Sequence, residues 1–300
     1  MKKAGNNILK IIAYPLLYLG LQFFISSIYA IIAVLYLGIK TGFEVGVSGG
    51  GIPFQNNIME EFISNSNFIL IPLIISGIAA FIIIYSVSNK EWKAEAFWST
   101  KKVTTSLIIQ CVVLGVVLNI FTIGILSIMP IQEQSSLDYL IGNNIILQIL
   151  GMALIGPFIE EIIFRGIVFK RLTKMMRLGG AVILQAVIFG FIHLNIVQGI
   201  YAGCLGIIIG LIYLWYDSIW AAVAVHTAFN LTSVLITYFA GNLEIDSAGL
   251  LGAAVAALAA AAAIMALLIS KKPKRDFTVF SNSNNYGNFD NSGSFNRWAY

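Results

Sequence analysis

Five side chains of this sequence could together activate a water molecule. They are two adjacent carboxylates, the two histidines of the chain and one asparagine: Glu160, Glu161, His193, His226 and Asn230. A carboxylate can take a proton from water with help from an imidazole, and imidazole and carboxamide N–H groups can stabilise the resulting oxyanion. If the fold brings these residues together, the set indicates hydrolysis.

Helical spacing gives the two glutamates different partners. Both stand in the stretch GPFIEEIIFRG, which is otherwise typical of a membrane-spanning helix. Residues four apart share a helix face, so we expect Glu161 to pair with Arg165, with the acid preceding the base. Glu160 is turned by about 100° from its neighbour and does not easily share that arginine. The pair is interpreted as structural support of the site, which leaves Glu160 for chemistry.

Composition predicts an integral membrane protein. The chain has 300 residues, of which 58% are hydrophobic and 11% charged, and its mean hydropathy is +0.87. Soluble domains carry roughly 25% charged residues. The net charge of +4 comes from short basic runs between apolar segments, where such runs set membrane orientation, so nucleic-acid binding is excluded. The partner implied by this composition is the lipid bilayer.

The apolar segments predict an all-α protein with about eight transmembrane helices. A span needs about 20 apolar residues, and the candidates are 11–38, 67–87, 104–129, 145–169, 180–196, 199–216, 219–240 and 248–270. Most of the 18 basic residues fall on one side if both termini are cytoplasmic, as the positive-inside rule requires. The Gly156-Pro157 pair before the glutamates predicts a kink or break in the fourth span.

Four regions follow from this layout. Residues 1–144 hold the first three helices and their loops, 145–240 form a catalytic core of helices 4–7, and 241–270 hold the last helix. Residues 271–300 are rich in Asn, Ser and Gly and are predicted to be a disordered cytoplasmic tail.

The ionisable residues of the core are predicted to face one another. An ionised side chain at the bilayer centre costs at least about 2.5–3.5 kcal/mol, so each needs a protein or water partner. At about 1.5 Å per residue, Glu160, His193, His226 and Asn230 lie roughly 12–21 Å from the inner boundary. Three helices could therefore place them in one layer.

Three motifs in this core resemble those of a known family, the CPBP intramembrane proteases, also called the Abi or CAAX-protease-and-bacteriocin-processing family. The motifs are EExxxR at residues 160–165, FxxxH from Phe189 to His193 and HxxxN from His226 to Asn230. Each is weak alone, but the three occur in order on separate predicted spans. The resemblance covers roughly residues 145–240.

The resemblance implies a role for each motif residue. Glu160 would be the base that activates water, assisted by His193, while His226 and Asn230 would form the oxyanion site. Phe189 is interpreted as packing. The implied substrate is a membrane-associated peptide or protein, and the implied location is the plasma membrane of a bacterium. Peptide-signal maturation, bacteriocin immunity and surface-protein processing are the pathways linked to relatives.

Other interpretations stay open at this stage. A metal-free scheme is preferred, with no cofactor, but zinc could bind Glu160, His193 and His226 with water as the fourth ligand. The motif HExxH is absent, and donor roles for His226 and Asn230 would leave too few ligands. A proton-coupled transporter also uses intramembrane acids and histidines. A catalytically silent membrane scaffold or immunity protein is the third possibility.

Overall fold

The computed structural model describes residues 2–48, 67–94, 97–98, 103–129, 144–240 and 246–273. These residues form helices and turns without a strand, which confirms the predicted all-α class. The helices are α1 (Lys2–Ser48), α2 (Asn67–Ala94), α3 (Thr105–Leu126), α4 (Ile145–Leu172), α5 (Leu178–Phe191), α6 (Ile196–Tyr216), α7 (Ile219–Ala240) and α8 (Ser247–Lys271). The predicted tail lies outside the described residues beyond position 273, and the division into four regions stays a prediction.

Seven of the helices in these ranges are long and apolar enough to cross a membrane, and α5 is the shorter one. The chain is therefore a multi-pass membrane protein with close to the predicted number of spans. With 14 residues, α5 is about 21 Å long, whereas the hydrocarbon layer is about 30 Å thick. The orientation of the termini stays a prediction.

The fifth predicted span, 180–196, is wrong at its C-terminal end. Helix α5 ends at Phe191, and Leu194 then has a left-handed backbone with φ of 56°. Asn195 caps the next helix by accepting the N–H of Gln198 at 2.8 Å. The apolar sequence hides this turn because Leu194 and Ile196 continue the hydrophobic run across it.

Helix α4 passes through Gly156-Pro157 without the predicted break. Two stretches of it, Ile149–Ile155 and Ile162–Phe169, are wound as π-helix on either side of Gly156–Glu161. The N–H of Gly156 donates to the carbonyl of Gly151, five residues earlier. In this register the carbonyl of Met152 would pair with residue 157, but proline has no N–H. The helix stays continuous at the cost of one backbone acceptor that needs a donor from elsewhere.

Helix α4 is the central helix of the structure and packs against α1, α2, α5, α6 and α7. Helices α5 and α6 form an antiparallel pair whose backbones touch, since a Cβ atom on Gly190 would lie 2.5 Å from the carbonyl oxygen of Gly199. Helices α3, α7 and α8 pack together on the other side, in a second buried cluster. This arrangement brings the motif-bearing helices around the middle of α4.

Candidate active site

The pairing of Glu161 with Arg165 is present in the structure, as the spacing predicts. Glu161 Oε1 lies 2.7 Å from Arg165 Nη1, and both side chains are fully buried. Arg165 Nη2 also donates to the carbonyl of Gly206 on α6 at 3.1 Å. The guanidinium carbon lies 4.9 Å from the ring centroid of Phe189 on α5. Arg165 thus joins α4 to the α5–α6 pair.

Glu161 has a second partner that helical spacing does not reveal. His226 Nδ1, on α7, lies 2.7 Å from the same Oε1 atom that binds Arg165. An ionised carboxylate only accepts, so Nδ1 carries the hydrogen of this bond. The other ring nitrogen, Nε2, is 3.7 Å from Glu160 Oε2. The two adjacent glutamates therefore face the two nitrogens of one imidazole.

Glu160 is the more accessible of the two carboxylates. Its side chain is 16% exposed, whereas that of Glu161 is wholly buried. Its second oxygen, Oε1, accepts from the hydroxyl of Tyr18 on α1 at 3.5 Å. Both contacts of Glu160 are longer than ordinary hydrogen bonds. Contacts of this kind are often long in a substrate-free structure and tighten when substrate binds.

Tyr18 is the residue of this site that sequence reasoning missed. It is 1% exposed and lies outside the predicted catalytic core, on the first helix. A signal was present in the sequence, because Tyr14, Tyr18 and Gln22 recur every four residues and so share one face of an apolar helix. Their spacing identifies a polar face but not the residue that it meets.

His193 lies in the turn after α5, a correction to its predicted place on the helix itself. Its backbone N–H donates to Gly190 rather than to Phe189, at 3.2 Å. The carbonyl of Phe189 is bonded instead by the His193 ring at 2.8 Å, through Nδ1. A carbonyl only accepts, so Nδ1 carries the hydrogen, and Nε2 of the neutral ring is an acceptor. The ring is therefore fixed in the tautomer that could accept a proton.

The Phe189 ring is the common packing surface of the polar residues. It is fully buried, and its centroid lies 5.0 Å from that of His193 and 5.6 Å from that of His226, both edge to face. Arg165 stands over the same ring, as described above. The interpretation of Phe189 as packing thus agrees with its contacts, because both histidine rings pack against it.

Asn230 contacts α4 through the carbonyl that Pro157 leaves without a backbone donor. Its Nδ2 donates to the oxygen of Met152 at 2.8 Å. A carboxamide nitrogen has two hydrogens, so one is used in this bond and one is left for another acceptor. Asn230 consequently ties α7 to α4, a contact that its motif position alone does not predict.

The described part of the chain contains no group of three His, Cys, Asp or Glu side chains that could hold a metal ion. The alternative zinc ligands Glu160, His193 and His226 are not grouped in this geometry, and the choice between a metal-free and a zinc scheme stays a prediction. A cavity of about 630 Å³ lies nearby between α3, α4 and α7, but it is lined by apolar side chains such as Phe158 and Trp220. The candidate site residues Glu160, His193, His226 and Asn230 do not line it, although Thr227, which follows His226 in the chain, does.

A known protein family matches the part of the chain that contains the three motifs. Residues 142–232 match the model of the family described as "Type II CAAX prenyl endopeptidase Rce1-like". This segment is similar to that family, and it is called the Rce1-like segment below. It contains all three motifs, the whole of α4, α5 and α6 and the first part of α7, whereas Tyr18 lies outside it. The resemblance stated from the motifs is thus confirmed for the Rce1-like segment.

One curated relative matches a longer part of the chain. It is the Bacillus subtilis protein named "Putative membrane peptidase YdiL", which is 24% identical over 226 residues, or 72% of this chain and 86% of the relative. No solved structure matches the chain. Together with the Rce1-like segment and the apolar helices, this relative supports an intramembrane peptidase.

Proposed function

We propose that the protein is an intramembrane endopeptidase in which Glu160 activates the water that hydrolyses a peptide bond. One observation carries the proposal, namely that His226 bonds Glu161 at 2.7 Å through Nδ1 and faces Glu160 at 3.7 Å through Nε2. A carboxylate that orients an imidazole toward a second reactive group is the arrangement that acid–base catalysis requires. Glu161 and Arg165 then support the site, and Glu160 works in it.

The proposed reaction needs only residues of this chain and one water molecule. Glu160 takes a proton from the water as the water oxygen bonds to the carbonyl carbon of the substrate. The π electrons of that carbonyl move to the carbonyl oxygen, which becomes an oxyanion. The second amide hydrogen of Asn230 donates to that oxyanion. His226 also donates to it from Nε2 when its ring is the imidazolium cation, which carries a proton on Nε2 as well as the Nδ1 hydrogen bonded to Glu161. Glu160 returns the proton to the amide nitrogen as the C–N bond breaks. The tautomer of His193, with Nε2 as an acceptor, is compatible with assisting the water.

The substrate class is proposed from the family description and the fold. The family description names a CAAX prenyl endopeptidase. We propose a membrane-associated peptide or protein as substrate, hydrolysed in the plasma membrane of a bacterium, since the curated relative is bacterial. Whether the substrate must be prenylated is decided by the experiment below, which compares a prenylated with an unmodified peptide.

The test is the variant Glu160→Gln in purified protein reconstituted into liposomes. Two peptides serve as probes, one ending in a farnesylated CAAX sequence and one with the same sequence unmodified, and mass spectrometry detects the products. We expect the wild type to cleave at least one probe and Glu160→Gln to be slower by about 10²-fold or more, as for loss of a general base. Thermal unfolding of the variant should stay close to wild type. Wild-type rates in Glu160→Gln would exclude this mechanism.

Further arms of the same experiment separate the other functions. Proton-driven solute flux without cleavage, followed with a pH-sensitive dye inside the liposomes, would favour the transporter. Neither cleavage nor flux would favour a membrane scaffold or immunity protein. Loss of cleavage on chelation, with recovery on adding zinc, would favour the metal scheme despite the present geometry.

A further inference from the structure

The first helix contributes one residue to the site, although it lies far from the Rce1-like segment in sequence. The Tyr18 hydroxyl donates to Glu160 Oε1 at 3.5 Å across 142 positions of the chain. Tyr14, one turn earlier, donates to or accepts from Ser88 on α2 at 3.2 Å and so does not serve the glutamate. The two tyrosines are chemically matched but have different partners.

Burial determines where the Tyr18 hydroxyl hydrogen can go. The side chain is 1% exposed, and a buried tyrosine hydroxyl normally has a hydrogen-bond partner. The Gln22 side chain, one turn further along α1, also interacts with this hydroxyl. An amide of Gln22 can donate to the phenolic oxygen, which leaves the phenolic hydrogen for the carboxylate of Glu160.

The contacts of Glu160 divide between its two oxygens. Tyr18 approaches Oε1 from α1, and His226 Nε2 approaches Oε2 from α7. A carboxylate held at one oxygen presents the other oxygen in a defined direction. Without Tyr18, rotation about the last side-chain torsion of Glu160 would be restrained only from the α7 side, because such sp³–sp² torsions have broad minima.

We propose that Tyr18 is a positioning residue that holds Glu160 through Oε1, so that Oε2 faces His226 and the water to be activated. The first helix then completes a site whose other polar residues all come from α4 to α7. This inference rests on the proposed function, because it assigns a role to the partner of the proposed base.

The experiment compares Tyr18→Phe with Tyr14→Phe, each of which removes one buried phenolic oxygen from the same helix. In the liposome assay with the cleaved CAAX peptide, we expect kcat of Tyr18→Phe to fall roughly 10- to 100-fold, the effect of losing a hydrogen bond to a charged group. KM should stay within about twofold, since Tyr18 does not bind substrate in this scheme. Tyr14→Phe should keep the wild-type kcat.

A thermal double-mutant cycle tests the contact without any substrate. The shift in Tm caused by Tyr18→Phe should be smaller in the Glu160→Gln background than in wild type, because residues in contact have non-additive effects. Additive shifts would overturn the inference, as would wild-type kcat in Tyr18→Phe or equal losses of kcat in both tyrosine variants. Glu160→Gln is assayed in parallel. If it stays active, the proposed function fails, whereas loss of activity in it alone contradicts only the role of Tyr18.

Discussion

The two sides of helix α4 differ in how tightly their carboxylates are held. On the side facing α5, α6 and α7, Glu161 is fully buried and has two contacts of 2.7 Å, to Arg165 and His226. Glu160 lies between α1 and α7 and is 16% exposed, and its contacts are longer, at 3.5 Å to Tyr18 and 3.7 Å to His226. Of these two consecutive residues, Glu161 thus has short polar contacts and Glu160 has long ones.

This difference agrees with the roles proposed for the two carboxylates. A buried charge needs a close opposite charge, because removal from water is otherwise costly. Glu161 meets this requirement, although its Oε2 atom and Arg165 Nε have no hydrogen-bond partner in the described part of the chain. A proton acceptor for water, in contrast, needs room for that water beside it. The buried, closely bonded Glu161 suits a supporting role, and the partly exposed Glu160 suits the proposed proton acceptor.

The largest expected difference between the two sides is in stability. Glu161→Gln leaves Arg165 as a buried charge without its counter-ion, so the free energy of unfolding should fall by about 3–5 kcal/mol. Unfolding of the purified protein in mixed micelles, followed by circular dichroism during a denaturing-detergent titration, measures this loss.

Glu160→Gln is the matched control for that measurement, because it makes the same change one residue earlier. It should alter the free energy of unfolding far less, since Glu160 is partly exposed and has only long contacts. Equal losses in the two variants would show that the two sides of α4 do not differ as described.

A smaller loss is expected from Arg165→Lys, which keeps the charge on the side of Glu161. The lysine ammonium is a point charge, whereas the guanidinium bonds Glu161 and the Gly206 carbonyl from separate nitrogens. Losing one charge-assisted hydrogen bond should lower the free energy of unfolding by about 1.5–3 kcal/mol. The same titration measures it. A loss as large as that of Glu161→Gln would mean that geometry, rather than charge balance, dominates this side.

The features of the structure that depend on local periodicity could be predicted from the sequence. The long apolar runs predict the helices, and the four-residue spacing predicts the Glu161–Arg165 pair. The turn after Phe191 was missed because it is made by a left-handed Leu194, which hydropathy does not distinguish from a helical leucine. Helix α5 therefore ends two residues before His193, and the histidine ring bonds the free carbonyl of Phe189 from the turn.

The non-local contacts could not be predicted from spacing. Which face of α7 meets α4 depends on packing, so the bond from His226 to Glu161 appears only when both helices are placed. The same holds for Tyr18 and Glu160, which are 142 positions apart. The π-helical winding of α4 also could not be predicted from spacing. Its backbone bonds join residues five apart, whereas the predicted helix faces assume bonds between residues four apart.

The smallest expected effect comes from the hydrogen bond that joins α7 to α4 through Asn230. Asn230 donates to the Met152 carbonyl, which lacks a backbone donor because residue 157 is proline. Asn230→Ala should therefore cost about 1 kcal/mol in the free energy of unfolding, toward the lower end for an unpaired carbonyl because Asn230 is only partly buried. Pro157→Ala supplies a backbone N–H at that position, so in its background Asn230→Ala should cost less. Detergent unfolding of both single variants and the double variant measures this coupling. A cost for Asn230→Ala that is the same in both backgrounds would mean that the proline does not create the need for the asparagine.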